Sequence, residues 1–317
     1  MTVARSPSCS KDRLDPRSKS SLLLCRSSGS TCNRPLAKSS CPVCATTPVS
    51  RRRWSLDSID WQAIRTDAVG EPEALFYLVA AASFMESTTD RYTRNLIDQF
   101  FGDDEITFWL EQHWLPEEIQ HGDVLRRYVQ IAWPNFEWDR AYESFLDEFS
   151  AYCCADGLEP TRTRELASRC VVETGTASFY TTLSRVSHDP VLATIAHRIA
   201  EDEIRHYKHF YRYFCRYQQT EPATRRAVFA AFSNRLRMIS GEDSVIAIKH
   251  LYKIRRSGAR FDNKICRNLR RNSRKLVQPH FPYRMCVQML LKPLGLGPRA
   301  RRILVPITEI LARRLVP

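Results

Sequence analysis

The fold of this chain is decided by two short stretches, Glu118-Ile119-Gln120-His121 and Glu203-Ile204-Arg205-His206. Each stretch places a histidine three residues after a glutamate, and the second begins 85 residues after the first. Residues three apart lie on one face of an α-helix, so each stretch presents a carboxylate and an imidazole side by side to one metal ion. Two such helices, with one carboxylate from each of two further helices, form the two-metal site of a four-helix bundle.

Two more glutamates stand where a pair of helical hairpins requires them. If each motif helix packs against the helix before it, the partner glutamate lies as far before the turn as the motif glutamate lies after it. The pairs and their midpoints are Glu86 with Glu118 about Gly102, and Glu173 with Glu203 about His188. Both midpoints lie in runs of turn-forming residues. At about 1.5 Å per residue, all four carboxylates are expected roughly 22 to 24 Å from their turns, at one level of the bundle.

These residues also have ordinary interpretations. A single E-x-x-H sequence on a helix is usually a solvated or structurally paired face. Glu86 shares its stretch with two other acids, Glu73 and Asp90. An apolar stripe places Glu86 beside the buried edge of this helix, and its members are Leu75, Leu78, Val79, Ala82 and Met85. A carboxylate at that edge is costly unless it is paired or bound to metal.

Helical periodicity recurs from about residue 71 onwards, while strand-like alternation is nearly absent, so we predict an all-α domain. The predicted helices span residues 71–100, 104–131, 137–154, 161–187, 190–218 and 222–238. The helix over 137–154 is the expected crossover between the two hairpins. Pro116 predicts a bend or a delayed helix start, and both alternatives preserve the spacing of Glu118 and His121.

Charge divides the chain into three predicted segments. Residues 1–53 carry 11 Lys and Arg against 2 acids, a net charge of +9, and are expected to be a disordered basic Ser/Arg-rich arm. Residues 54–239 carry 19 Lys and Arg against 29 acids, a net charge of −10, and contain every candidate ligand. Residues 240–317 carry 18 against 4, a net of +14, and are expected to be a basic helical extension.

The first segment leaves several interpretations open. It holds 5 of the 11 cysteines, including a C-P-V-C sequence at 41–44, but no second pair at a spacing suited to zinc. Its composition fits an acid-poor transit peptide, an unfolded extension or an over-long reading frame. No apolar window reaches the length of a membrane span. Free cysteines such as adjacent Cys153 and Cys154 favour a reducing compartment, and we expect the cytoplasm.

Three stretches resemble one known family. Residues 114–128 are similar to the W-x-x-E-E-x-x-H-G-D-x-L-x-x-Y run of the soluble acyl-acyl carrier protein desaturases, a family of the ferritin-like superfamily. Residues 202–206 resemble its D-E-x-R-H sequence, and Glu173 with Thr176 resembles its E-x-x-T. The resemblance covers about residues 70–240 and implies a ferritin-like four-helix bundle with additional helices.

The resemblance also implies roles for individual residues. The metal ligands would be Glu86, Glu118, His121, Glu173, Glu203 and His206. Thr176 would place a hydroxyl beside the oxygen-binding face, where it relays protons. Asp202 would accept the far N–H of a ligand imidazole, that of His121, and so fix its orientation. Pseudo-symmetry suggests the same contact between Glu117 and His206, with a solvent-facing Glu117 as the alternative.

By this resemblance the cofactor is a pair of iron ions that react with O2, with manganese or a mixed pair left open. A desaturase would hold an acyl chain in an apolar channel along the bundle and draw electrons from a ferredoxin-type donor. The aromatic residues suited to that channel fit an ordinary core equally well, and they are Phe84, Trp109, Phe179 and Tyr180. Rival functions are hydroxylation or N-oxygenation by the same ligand set, ferritin-type iron oxidation, and an interaction protein with an incidental bundle.

The basic residues of 249–275 predict an acidic or anionic partner. An acidic acyl carrier protein would be steered by this charge. A peripheral membrane contact is the competing interpretation, because apolar faces lie amid arginines in this region. The apolar residues are Met289, Leu290, Leu291, Leu294, Ile303, Leu304, Ile307 and Leu311. A third interpretation is that these basic residues form a solvated surface that packs against the acidic segment 54–239. Nucleic acid is not expected, since no base-reading pattern accompanies the charge. The oligomeric state is left open, with a homodimer as one alternative.

Overall fold

The computed structural model describes residues 54–65, 72–150, 157–239, 242–257 and 259–315. These residues form helices and no strand, which confirms the all-α prediction, and all fall within one compact unit, Arg52–Pro317. Among them, none of the helices combines the length and hydropathy that a membrane span needs. The predicted disordered arm 1–53 and the Cys153–Cys154 pair lie outside the described residues.

The helices are, in chain order, α1 Glu73–Glu86, α2 Thr89–Gln99, α3 Asp104–Trp109, α4 Leu115–Ala132, α5 Trp138–Phe149, α6 Arg162–Val186, α7 Pro190–Thr220, α8 Arg225–Ile239, α9 Glu242–Arg255, α10 Asn263–Val277, α11 Tyr283–Leu291 and α12 Pro298–Leu315. A π-helical segment, Leu110–Trp114, joins α3 to α4. Helices α1, α4, α6 and α7 form the bundle: α1 packs along α4, α6 packs along α7, and α4 meets α7. Helix α9 covers α1 and α5, and α11 lies between α6 and α12.

The predicted helix over 71–100 is wrong in one respect, because the chain breaks at Ser87 and Thr88 between α1 and α2. The Thr88 hydroxyl donates to the carbonyl of Met85 at 2.6 Å, and the Thr88 N–H donates to the same oxygen at 3.1 Å. Such local side-chain bonds compete with the helical ladder and end α1. Glu86 is therefore the last residue of α1.

The irregularity predicted at Pro116 is confirmed, and it takes the form of the π segment. Pro116 lies in the first turn of α4, directly after Leu110–Trp114. Proline has no N–H to donate to the preceding turn, and a wider π turn accommodates the missing hydrogen bond. Gly102, predicted to end the preceding helix, adopts φ +87°, a conformation that favours glycine.

Two apolar cores lie on either side of the candidate ligands. The first core includes Phe84, Val124, Tyr180 and Ile199, and the second includes Phe100, Trp114, Val171 and Phe210. Along α4, α6 and α7 the chain passes from one core to the other at the candidate ligands, whereas α1 packs in the first core and ends at Glu86. The polar residues thus form one layer between two water-excluding layers.

Asp103 ties the turn before α3 to the end of α7, and it predicts a pH effect. Its carboxylate accepts from the Tyr217 hydroxyl at 2.7 Å and pairs with Arg216. Burial alone would raise the pKa of Asp103, but Tyr217 and Arg216 lower it below the ordinary value. A carboxyl whose pKa is lower in the folded state stabilises the protein above its unfolded pKa of about 4, and this contribution is lost as the pH falls through the folded pKa.

We therefore expect the melting temperature, followed by circular dichroism, to fall less steeply below about pH 4 in Asp103→Asn than in the wild type. Exposed Asp104, the next residue, provides the control Asp104→Asn, which should keep the wild-type slope. Identical acid slopes in the wild type and Asp103→Asn would contradict the assignment.

Candidate metal centre

Four helices bring the six predicted ligands into one buried cluster. Their positions are Glu86 at the end of α1, Glu118 and His121 in the first half of α4, Glu173 in the middle of α6, and Glu203 and His206 in the middle of α7. None of the six is more than 8% exposed. The two hairpins therefore meet at one level, as the symmetric spacing predicted.

The cluster contains two overlapping sets of four ligand atoms, each set lying within 4.8 Å. The sets are Glu86, Glu118, His121 and Glu203, and Glu118, Glu173, Glu203 and His206. The motif glutamates Glu118 and Glu203 belong to both sets, so each is placed to bridge two metal positions. Motif spacing had predicted only that each motif serves one ion; the structure adds that its glutamate also reaches the other.

The imidazoles point across the bundle. Nδ1 of His121 lies 3.2 Å from Oε1 of Glu203, and Nδ1 of His206 lies 3.1 Å from Oε1 of Glu118. Each histidine therefore faces the glutamate of the other motif. This crossed arrangement places one imidazole and one terminal carboxylate, Glu86 or Glu173, at each metal position.

Carboxylates outside the cluster hold the opposite nitrogen of each ring. Nε2 of His121 lies 3.1 Å from Oδ2 of Asp202, and Nε2 of His206 lies 2.8 Å from Oε2 of Glu117. A carboxylate that accepts the Nε2–H leaves Nδ1 available to a metal and fixes the ring orientation. The structure places Asp202 where the family resemblance put it, and Glu117 where pseudo-symmetry put it.

Sequence reasoning missed two residues that hold these carboxylates. The Trp54 indole N–H donates to Oδ2 of Asp202 at 2.8 Å, and Arg205 pairs with Asp202 while lying 3.3 Å from Oε2 of Glu117. Burial would raise the pKa of Asp202, but the contacts from His121, Arg205 and Trp54 bring it to about 2. Arg205 is part of the second motif and was therefore visible, whereas no local signal links Trp54 to the site.

Two hydroxyls donate into the cluster. The Tyr180 hydroxyl donates to Oε1 of Glu86 at 2.5 Å, and Thr176 Oγ1 donates to Oε2 of Glu203 at 2.5 Å. The resemblance predicts the role of Thr176, whereas the sequence identifies Tyr180 only as a core or channel residue. Its position seven residues after Glu173, two turns along one face of α6, was the signal that could have found it.

Without metal, the cluster holds protons. Burial raises the pKa of Glu86 well above its usual range and raises that of Glu173 to about 8. Burial acts in the same direction on Glu203, but the imidazoles lower its pKa to about 2. For His121 and His206, burial lowers the pKa, and the surrounding carboxylates raise it well above the usual value. Metal ions at this site would therefore displace protons as they bind.

The donor atoms fit two metal ions. Four buried atoms of the cluster form no hydrogen bond of good geometry among the described residues, although both imidazole nitrogens lie 3.1 to 3.2 Å from a carboxylate: Nδ1 of His121, Nδ1 of His206, Oε2 of Glu173 and Oε1 of Glu203. Buried polar atoms without partners are costly, and coordination to metal would satisfy all four. Carboxylate oxygens and imidazole nitrogens suit divalent first-row metals such as Fe(II) and Mn(II).

Residues 87–240 match the family model described as fatty acid desaturase. The match spans just under half of the chain and includes five of the six cluster residues, while Glu86 directly precedes it. It supports a desaturase-like family and an oxidoreductase activity; the narrower assignment to carrier-protein substrates stays a prediction. No curated protein shows significant sequence similarity to the chain.

The aromatic residues suited to an acyl channel lie in the apolar cores of the protein. Phe84 and Tyr180 are buried in the first core, Phe179 packs against it, and Trp109 is buried in the second. Two surface cavities of about 400 and 310 Å³ lie elsewhere, the first beside the start of α5 and the second between α7, α8 and the α11–α12 loop. None of the six cluster residues lines either cavity. The acyl channel stays a prediction.

Asp202 provides a test of how the candidate metal centre orients its ligands. Asp202→Asn removes the negative charge facing Nε2 of His121, so we expect metal affinity to fall about 10- to 100-fold. Competition with a chelator measures the affinity. Glu201→Gln is the matched control, because Glu201 precedes Asp202 on α7 and its side chain is 60% exposed. Equal affinity of Asp202→Asn and the wild type would show that Asp202 does not orient the ligand.

Proposed function

We propose that the protein is a di-iron, O2-dependent desaturase that introduces a double bond into an acyl chain carried on acyl carrier protein. One observation carries the proposal: Glu118 and Glu203 are shared by two buried ligand sets, inside a protein whose residues 87–240 match fatty acid desaturases. The shared carboxylates suit a two-metal cofactor, and the family match favours an acyl chain as the substrate.

The stoichiometry of desaturation determines which other reactants the enzyme requires. Removing one hydrogen from each of two adjacent CH2 groups leaves a carbon–carbon double bond. Reduction of O2 to two waters consumes those two hydrogens together with two electrons and two protons from outside. A ferredoxin-type protein is the proposed electron donor. When bound, two iron ions would supply the redox chemistry with O2 that C–H oxidation requires, and the protein supplies binding and orientation.

The chain's own residues have distinct tasks in this scheme. Asp202 and Glu117 hold the ligand imidazoles in place. Thr176 carries a proton at Oγ1 beside Oε2 of Glu203, where it can be passed on during formation of water. The two apolar cores exclude bulk water from the layer between them, which limits loss of oxidising equivalents to side reactions.

The charge of α10 supports a carrier-bound substrate. This helix buries Cys266 and exposes five basic residues, namely Lys264, Arg267, Arg270, Arg271 and Lys275. An acidic carrier protein would be attracted to this surface at long range and oriented by it on contact.

The proposal is tested with iron-loaded protein, acyl carrier proteins bearing chains of different length, ferredoxin, ferredoxin reductase and NADPH. The expected result is an alkene product by mass spectrometry, with one O2 consumed per double bond, in the absence of free iron. Glu203→Ala should give no product. An alcohol product would instead show hydroxylation, and oxidation of added Fe(II) without any change to the acyl chain would show a ferritin-type activity; both outcomes overturn the proposal.

A further inference from the structure

Helix α12 turns its apolar side to solvent. Its exposed large apolar residues are between 37% and 61% accessible, and they are Ile303, Leu304, Ile307, Ile310 and Leu311. The spacing of these positions places them on one face of the helix. A helix that serves only to cover a core would point this face inward.

The opposite side of α12 packs on the protein with smaller side chains. Val305, Thr308 and Ala312 are half-buried, and α12 makes its main contacts with α11. The end of the helix is anchored, because the Arg313 guanidinium lies 4.6 Å from the centre of the Tyr283 ring and the Arg313 carbonyl accepts from Gln278 at 3.3 Å. These contacts hold the apolar face outward.

Basic residues accompany the apolar face. Arg299, Arg302 and Arg314 are exposed, and α12 contains a single acid, Glu309, which pairs with Arg313 at 2.9 Å. Apolar side chains with arginines around them are typical of helices that lie in the interface of an anionic bilayer, where the apolar side chains enter the acyl region and the cations meet lipid phosphates.

Two other possible partners of the apolar face of α12 fit its positive charge less well than an anionic bilayer does. A second copy docked about a two-fold axis would bring the arginines of both helices close together, and like charges oppose that contact. Residues 1–53 carry a net charge of +9 and would meet the same repulsion. The cations of α12 therefore favour a negatively charged surface.

We infer that α12 is a membrane-docking helix, which lies flat on anionic lipid bilayers with Ile303, Ile307 and Ile310 inserted. This inference does not depend on the proposed desaturase activity. It assigns α12 a partner that the cluster of metal ligands does not require.

The test is co-sedimentation of the full chain with vesicles of phosphatidylcholine alone or mixed with phosphatidylglycerol. We expect binding to the mixed vesicles, weakened by salt. The double variant Ile303→Ser/Ile307→Ser should bind about tenfold or more weakly, because two side chains no longer enter the apolar region. Phe101→Ser is the control, since Phe101 is 83% exposed in the turn before α3 and should not affect vesicle binding.

A second pair of variants tests the charge. Arg299→Gln/Arg302→Gln should lower binding to the mixed vesicles several-fold, while Arg226→Gln, on the exposed side of α8, should leave it unchanged. Circular dichroism verifies that each variant is folded. Wild-type protein that binds neither vesicle would overturn the inference. So would a dimer, detected by sedimentation, that dissociates in the Ile303/Ile307 variant, because a second copy would then cover the face.

Discussion

Replacing either Glu118 or Glu203 with alanine is expected to abolish metal binding at both positions of the centre. Each carboxylate belongs to both ligand sets, so one substitution removes a donor from both candidate metal positions. It also leaves an imidazole Nδ1 without the carboxylate that lies 3.1 to 3.2 Å away. We expect metal content close to zero and oxidase activity reduced by more than about a hundredfold, beyond the loss typical of outer-shell residues. Metal analysis and absorption spectra of iron-loaded protein provide the measurement.

Variants of the terminal ligands, Glu86 and Glu173, test whether the shared position of Glu118 and Glu203 causes the loss of both metals. Glu86 and Glu173 each belong to one set only, so Glu86→Ala and Glu173→Ala should each lose one metal preferentially and retain part of the other. Glu201→Ala removes an exposed carboxylate two residues before Glu203 and should load normally. If Glu203→Ala kept half of the wild-type metal, as the terminal variants should, the bridging role of Glu203 would be wrong.

Adding a methyl group at Gly122 is expected to separate α4 from the end of α1. A Cβ at this position would lie 2.9 Å from Oγ of Ser87 and 3.0 Å from the Ser87 backbone nitrogen, and backbone atoms cannot move away cheaply. Gly122 follows His121, and Ser87 follows Glu86, so the close contact brings together two candidate ligands of one set. We expect Gly122→Ala to destabilise the protein by about 1–3 kcal/mol and to weaken the metal position of Glu86 and His121 selectively.

Thermal unfolding of the metal-free protein and titration with Fe(II) measure the two effects separately. Gly175→Ala is the matched control, because Gly175 is also helical and an added Cβ there would meet no atom within 4 Å. That variant should keep both metal positions and gain up to about 1 kcal/mol of stability from its higher helix propensity. Wild-type stability and two equal metal sites in Gly122→Ala would show that the contact with Ser87 is not required.

Much of the candidate centre was predictable because helix geometry is local. A spacing of three residues places Glu118 beside His121 and Glu203 beside His206 whatever surrounds them. The turns at Gly102 and before Pro190 follow from residue types that end or begin helices. Given two helical hairpins, the level at which the carboxylates meet follows from the rise per residue.

Contacts between residues far apart in the chain could not be predicted from local residue spacing. The hydrogen bond between Trp54 and Asp202 joins residues 148 positions apart, and no periodicity specifies it. The break at Ser87 and Thr88 replaces helical bonds with side-chain bonds of similar strength, so neither alternative is evident from residue types alone. The sharing of Glu118 and Glu203 depends on the distance between helices, which small residues such as Gly122 set.

Helix α12 also has one property that the sequence predicts and one that only the folded protein shows. Its residue pattern predicts an amphipathic helix, since the spacing of Ile303, Ile307 and Ile310 is local information. Which face lies against the protein is a property of packing: α12 packs on α11 with Val305 and Ala312 half-buried and the isoleucines exposed. Residue types and spacing therefore specified the helices and the donor atoms they carry. The orientation of helices relative to one another required the folded molecule, because it arises from contacts between side chains far apart in the chain.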